Sequence, residues 1–175
     1  MSKSHGELTP AVGPGDHAQG SSDAPMTLVE YGDYECPYCG MAYPIVKRIQ
    51  ARLGHRLRFV FRNFPLAEMH PNATAAAEFA EGAALQGKFW EMHDTLYEHQ
   101  AALGGASLQN YARKLALDFS ALETALRSGA PHQHVRSDFM SGVRSGVNGT
   151  PTFFINGRRF DGDWRDEDVF VAALS

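Results

Sequence analysis

Cys36-Pro37-Tyr38-Cys39 is the feature that most narrows what this chain can become, because these two cysteines are the only ones in its 175 residues. Proline directly after the first cysteine suits the first position of a helix, where its missing N–H is not needed and its φ is already helical. Cys36 is then the cap residue, and its sulfur faces unpartnered backbone N–H groups and the positive end of the helix dipole. Both stabilise a thiolate, and thiols in such motifs fall from ~8.5 to roughly 3.5–7.5. Cys39, one turn inward, can close a disulfide with Cys36 or attack a mixed disulfide formed on it. Zinc is the rival use of such a pair, but a zinc site takes about four ligands and the chain has no second cysteine pair. His132 and His134, the closest histidine pair, are two residues apart and so lie on different faces of a helix. No metal and no organic cofactor is expected.

Around this motif the sequence alternates strand and helix signals. Met26 to Tyr31 is short, β-branched and mostly apolar, as in a strand buried on both faces. From Pro37, Ala42, Ile45, Val46, Ile49 and Leu53 follow helical spacing, with Pro44 expected to kink the helix and Gly54 to stop it. Leu57 to Phe64 reads as a second strand, with Leu57, Phe59 and Phe61 on one face and Val60 and Phe64 on the other. Helical patterns then run over Asn72–Gln86, Lys88–Gln100, Leu108–Leu115, Phe119–Arg127 and His132–Ser145. Strand signals return at Thr152–Ile155, an Asn156-Gly157 turn and Arg158–Phe160, before a last helix over Asp166–Leu174. The simplest packing is a mixed sheet with helices on both faces and the helical block inserted beside it. This α/β reading divides the chain into a flexible leader (1–24), one sheet domain (25–65 and 147–175) and an all-helical insertion (66–146). The leader is assigned from its turn formers and lack of periodicity, and no chemistry is expected there.

A chain that is 43% apolar and 21% charged builds an ordinary globular core. Its net charge of −4 gives no reason to propose nucleic acid, and no apolar run approaches the roughly 20 residues of a membrane span. Met1 to Pro25 has one lysine and no apolar core region, so it does not read as a secretory signal, which favours the cytoplasm. A mature exported chain carrying a new initiating Met, placed in the periplasm or elsewhere outside the cytoplasm, would read the same.

Taken together, these residues resemble the thioredoxin superfamily, in the DsbA-like branch whose thioredoxin fold carries an inserted helical domain. The C-x-x-C follows the first strand. Pro44, eight residues after Cys36, matches the kink proline of the family's active-site helix. Glu30, six residues before Cys36, stands where the family carries a buried acid. Gly149-Thr150-Pro151-Thr152-Phe153 is similar to its cis-proline loop. Thr27–Gly40, Lys88–Asp94 and Thr150–Gly157 are similar to DsbA-like domains found as single proteins or fused to transporters. The resemblance spans residues 16–175 and implies a cis Thr150–Pro151 bond, with the Thr150 backbone pairing with an extended substrate segment.

Glu30 has two readings, an ordinary polar residue at a strand edge or a buried carboxylate whose raised pKa lets it take the Cys39 proton. His93 and His70 read as hydrogen-bonded core histidines, and Phe64, Phe89, Trp90 and Tyr97 as packing. Tyr34 and Tyr38 flank the cysteines and are expected to be exposed, with Pro37 and Tyr38 offering substrate contact. The function expected is a thiol-disulfide oxidoreductase acting on thiol- or disulfide-bearing proteins through a mixed disulfide on Cys36, recycled by glutathione or a thioredoxin-type partner. A redox-responsive binding module and a glutathione-linked enzyme using only Cys36 are the alternatives. Pro-Tyr between the cysteines is the glutaredoxin pair, and DsbA has His where this chain has Tyr38, which implies a weaker oxidant than DsbA. Direction, oxidase, reductase or isomerase, is not written in the motif.

Overall fold

Met26–Gly32 and Leu57–Asn63 lie side by side in parallel at the centre of the computed structural model, which describes residues 6–175. These strands, β2 and β3, are joined by helix α1 (Pro37–Leu53) and a short 3-10 turn. His17–Gln19 forms β1 at one edge, antiparallel to β3, while Thr152–Ile155 (β4) and Arg158–Phe160 (β5) complete the order β1-β3-β2-β4-β5. Between β3 and β4 run α2 (Ala73–Ala84), α3 (Phe89–Glu98), α4 (Gly105–Lys114), α5 (Phe119–Ser128) and α6 (Ala130–Arg144), and α7 (Glu167–Ala173) closes the chain. Among the described residues, no helix is long and apolar enough to cross a membrane.

The period-two alternation of the strands sorts their side chains onto two cores. Leu28, Leu57, Phe59, Phe61 and Phe153 pack with Ala42, Val46, Ile49 and Leu53 of α1 and with Met92 and Leu96 of α3. Val29, Tyr31, Val60, Phe64 and Phe154 form the second cluster, covered by Phe139 of α6 and by Leu8 and Val12. Helix α6 can approach this face because Gly142 has no side chain. A Cβ there would meet the Phe64 ring at 2.6 Å and Tyr31 at 3.1 Å.

Of the leader expected to be flexible over 1–24, residues 1–5 lie outside the described residues, and the rest is tied down. Arg62, buried in the middle of the second cluster, forks onto Asp16 through Nε–Oδ1 (2.8 Å) and Nη2–Oδ2 (3.0 Å). It also donates to the Pro10 and Ala11 carbonyls and, at 2.9 Å, to the Tyr31 hydroxyl. Composition could not show this because the segment is held by one long-range bidentate ion pair and strand addition, not by its own apolar periodicity.

Breaking a buried ion pair leaves its partner charged and unpaired at a cost of ~3–5 kcal/mol. Asp16→Ala should therefore lower the unfolding free energy by about that much, read as a fall in the urea midpoint at pH 7. Gly142→Ala should destabilise by ~1–3 kcal/mol through overpacking against buried rings.

Candidate active site

The dithiol sits where β2 ends and α1 begins. Cys36 is the N-cap of α1, extended at φ −69° and ψ 122°, with Pro37 in the first turn. Its backbone N–H donates to the Asp33 carbonyl at 3.1 Å, and its own carbonyl accepts the first helical bond, from Gly40 N–H at 3.0 Å. Both cysteines are free thiols and both are buried. Cys36 is 3% exposed and Cys39 is fully enclosed, so the reactive sulfur lies just under the surface and its partner lies behind it.

The two sulfurs are driven apart in acidity. A hydrogen bond from the Cys39 thiol is the largest influence on Cys36. Burial opposes it, and the neighbouring Thr150 and the N–H groups of Cys39 and Tyr38 add smaller amounts, bringing Cys36 down to about 5. These two N–H groups belong to the second and third helical positions; Cys36 makes no side-chain capping hydrogen bond with them, so they act on the sulfur as oriented dipoles. Cys39 is pushed far up, by burial first and then by its bond to Cys36 and the Glu30 charge. At neutral pH Cys36 is a thiolate and Cys39 its thiol donor.

Glu30 is a buried carboxyl on the dithiol side of the sheet, not an exposed residue at a strand edge. It is 2% exposed, and burial first and the Cys36 charge second raise it to about 8. Its Oε1, the Tyr97 hydroxyl and the Thr150 Oγ1 are buried with no hydrogen-bond partner among the described residues. The charges of both Cys39 and Glu30 act on Tyr97. Three orphaned polar atoms beside one dithiol are costly in a folded core.

The loop carrying Pro151 reaches the cysteines from β4. The Thr150–Pro151 peptide is cis, and the Cys36 thiol lies 3.5 Å from the Thr150 carbonyl, to which it donates when protonated. Pro37 and Tyr38 are exposed, Tyr38 at 54%, with the Arg165 guanidinium 5.9 Å from the Tyr38 ring. Tyr34, expected to be exposed, is instead 1% exposed. It points into the core, where its hydroxyl shares a 3.0 Å hydrogen bond with His93 Nδ1 and its ring packs on Phe61 and Tyr97. Flanking a cysteine in sequence does not decide which side of the loop a ring takes.

Sequence reasoning missed the residues that hold the loop. Asp33, buried, accepts from Glu35 N–H (2.8 Å), Leu66 N–H (2.9 Å) and His70 Nδ1 (2.8 Å). The first of these is an Asx-turn, whose Asp two residues ahead of the receiving N–H was a readable signal. His70 is therefore an ion-pair partner at the rim of the site, raised above its ordinary value against the effect of burial by its bond to Asp33. Gln100, from the end of α3, donates to the Tyr34 and Cys36 carbonyls at 2.8 and 3.0 Å. Its amide occupies the space a side chain at Gly40 would need. No local pattern marks Gln100, since its role depends on where the helical block docks.

These acidities make opposite contributions to stability in the reduced protein. Glu30 is raised in the fold, so its contribution is lost as pH rises from 4.5 to about 8. Cys36 is depressed from 9 to about 5, so its contribution is complete above 9 and lost as pH falls toward 5. Over the shared window these two contributions should nearly cancel. Glu30→Gln should replace that balance with stability that rises with pH by up to ~1.4 kcal/mol per unit, measured by urea unfolding in excess reductant. Thiolate absorbance in the reduced wild type should titrate as one group near 5, and Cys39→Ala should move that midpoint upward.

A family model described as thioredoxin matches residues 13–172. Among curated proteins, a Na(+)/H(+) antiporter NhaA 1 from Salinispora arenicola is 44% identical over 160 residues, which cover 91% of this chain and 24% of the antiporter. The chain thus spans about a quarter of the length of the curated relatives it matches. Among solved structures, a thioredoxin-like oxidoreductase from Silicibacter pomeroyi superposes with a TM-score of 0.81 at 25% identity, covering 93% of this chain and 91% of that one. Oxidised BdbD from Bacillus subtilis superposes with a TM-score of 0.79 at 24% identity, covering 91% of each chain. With its five-stranded mixed sheet, its C-x-x-C at the start of α1 and the helical block between β3 and β4, this chain belongs to the thioredoxin family.

Proposed function

We propose that the chain exchanges disulfides with thiol- or disulfide-bearing proteins through Cys36 and Cys39. The observation that carries this reading is the split acidity of the pair, a thiolate near 5 at the surface backed by a thiol held protonated. The solved structures it resembles include proteins described as a thioredoxin-like oxidoreductase and a thiol-disulfide exchange protein.

In the reducing direction the Cys36 thiolate attacks one sulfur of a substrate disulfide, forms the mixed disulfide and releases the other substrate sulfur as a thiolate that takes a proton from water. The Cys39 thiol then gives its proton to the Glu30 carboxylate and attacks the Cys36 sulfur. The second substrate sulfur leaves as a thiolate that takes a proton from water, so the substrate is released as a dithiol, protonated Glu30 later gives its proton back to solvent, and the pair is left as the Cys36–Cys39 disulfide. In the oxidising direction the same steps run backwards. Substrate thiolate attacks Cys36, and protonated Glu30 returns the proton to Cys39 as it leaves. A carboxyl near 8 holds both forms at neutral pH and so serves either direction. Thr150 would present its backbone to an extended substrate segment, with Pro37, Tyr38 and Pro151 supplying contact surface beside the sulfur.

Stabilising the thiolate stabilises the reduced form and makes the disulfide more oxidising. A Cys36 value of about 5 lies between thioredoxin at about 7 and DsbA at about 3.5, so the potential should fall between about −270 and −120 mV. Equilibration with glutathione buffers measures it.

A second reading is favoured by the curated relatives, which are named antiporters and are about four times the length of the region shared. In it, Cys36–Cys39 oxidation alters binding to an attached or partnered transporter. Turnover separates the two. The exchange reading expects accelerated insulin reduction or accelerated refolding of a reduced protein, and no acceleration in either assay would favour the module. Cys39→Ser should trap covalent substrate complexes through Cys36, whereas Cys36→Ser should trap none. Full turnover by Cys39→Ser with glutathione would instead identify a monothiol enzyme.

A further inference from the structure

We infer that His17, Glu81 and His134 form a binding site for a divalent transition-metal ion of the zinc type, on the opposite edge of the sheet from β4 and its Thr150–Pro151 loop. The three residues come from β1, α2 and α6, and each offers one ligand atom within 4.8 Å of the others. His17 Nε2 lies 2.9 Å from both Glu81 oxygens, and His134 Nδ1 lies 3.5 Å from Glu81 Oε2. Ligands ~2.0–2.1 Å from a tetrahedral zinc are themselves roughly 3.3 Å apart, so the His134–Glu81 pair stands near that spacing, while the two imidazoles, within 4.8 Å of each other, would close in and His17 would exchange its direct bond to Glu81 for the ion. Two imidazoles and a carboxylate are the ligand types zinc accepts, and three protein ligands leave a fourth position open.

The surroundings brace this set as metal ligands are usually braced. Asp138, one turn after His134 on α6, lies 3.6 Å from His134 Nε2, so the imidazole has its other nitrogen facing a carboxylate. Asn63 Nδ2 donates to Glu81 Oε1 at 2.8 Å and to Asp138 Oδ2 at 2.9 Å, and the Asn63 N–H also donates to Asp138 at 2.9 Å. The His17 ring is stacked on Phe89 at 3.6 Å, which fixes its orientation. Glu81 and Asp138 are both buried. No lysine or arginine forms a salt bridge with either of them among the described residues, where only histidines do so. Two buried carboxylates without a permanent cation make a place for a dication. A cavity of about 240 Å³ lined by His17, Glu81 and His134 gives access from solvent.

Sequence spacing argued against a metal site, since the closest histidine pair, His132 and His134, falls on different faces of a helix. The fold separates them: His132 turns to Glu78 at 2.7 Å while His134 turns to Glu81. The site would clamp the N-terminal strand to two helices of the inserted block.

The test is calorimetric titration of ZnCl2 into the untagged full chain, dialysed against chelator and carrying Cys36→Ser and Cys39→Ser so that the dithiol cannot bind the ion. One ion per chain should bind, with a rise in Tm that grows with zinc concentration. Co2+ should give the visible absorption of a four-coordinate site without thiolate charge transfer. Asp138→Asn should weaken binding ~10–100-fold and His134→Gln by more, while His132→Gln should leave it unchanged. If His134→Gln fails to fold by circular dichroism, His17→Gln replaces it. No binding to the double-serine chain, undiminished affinity in the histidine variants, or Ca2+ bound more tightly than Zn2+ would overturn the inference.

Discussion

The negative charge on the Cys36 sulfur rests chiefly on the neighbouring Cys39 thiol keeping its proton, with smaller help from Thr150 and the first N–H groups of α1. Everything around the dithiol serves those contacts. The helix is anchored along its length by Ala42, Val46, Ile49 and Leu53, so its N-terminus cannot turn away. The loop ahead of it is held by Asp33 from below and by Gln100 from the helical block. Charge stabilisation here comes from fixed dipoles and one neighbouring thiol, since Tyr38 stands where a histidine cation could have been.

The site also carries groups that the fold does not satisfy. Glu30, Tyr97 and Thr150 each have a buried polar atom without a partner, an arrangement a core selected for stability alone would avoid. Glu30 is tolerated because it stays protonated over most of the neutral range, which avoids placing a second negative charge beside the Cys36 thiolate. The same desolvation that raises Glu30 raises Cys39, so one buried environment sets both ends of the proton transfer proposed between them.

Away from the dithiol, the N-terminal stretch joins the fold through polar contacts together with a few apolar side chains, Leu8 and Val12, laid on the second cluster. Arg62 and Asp16 tie it across the second face of the sheet, and β1 extends the sheet beyond β3. Apolar periodicity is blind to such an attachment, which is why the stretch reads as a loose leader. The same docking places His17 against Glu81 and His134, residues far apart in the chain and unremarkable in local pattern.

Local spacing was enough to determine the four strands from Met26 onward, the helices, the helix-start position of Cys36 and the facing of Leu57, Phe59 and Phe61 away from Val60 and Phe64, but not β1. These follow from backbone periodicity and proline geometry, which act over a few residues. The resemblance carried by the motif set located Glu30 and the Thr150–Pro151 loop in the chain. Tertiary structure alone decided that Tyr34 turns inward, that Asp33 and Gln100 hold the loop, that the stretch after Gly6 docks on the sheet through Leu8, Asp16 and β1, and how far the two thiols separate in acidity. Those outcomes depend on burial and on hydrogen bonds between distant segments, and neither exists until the helical block and the N-terminal strand have docked on the sheet.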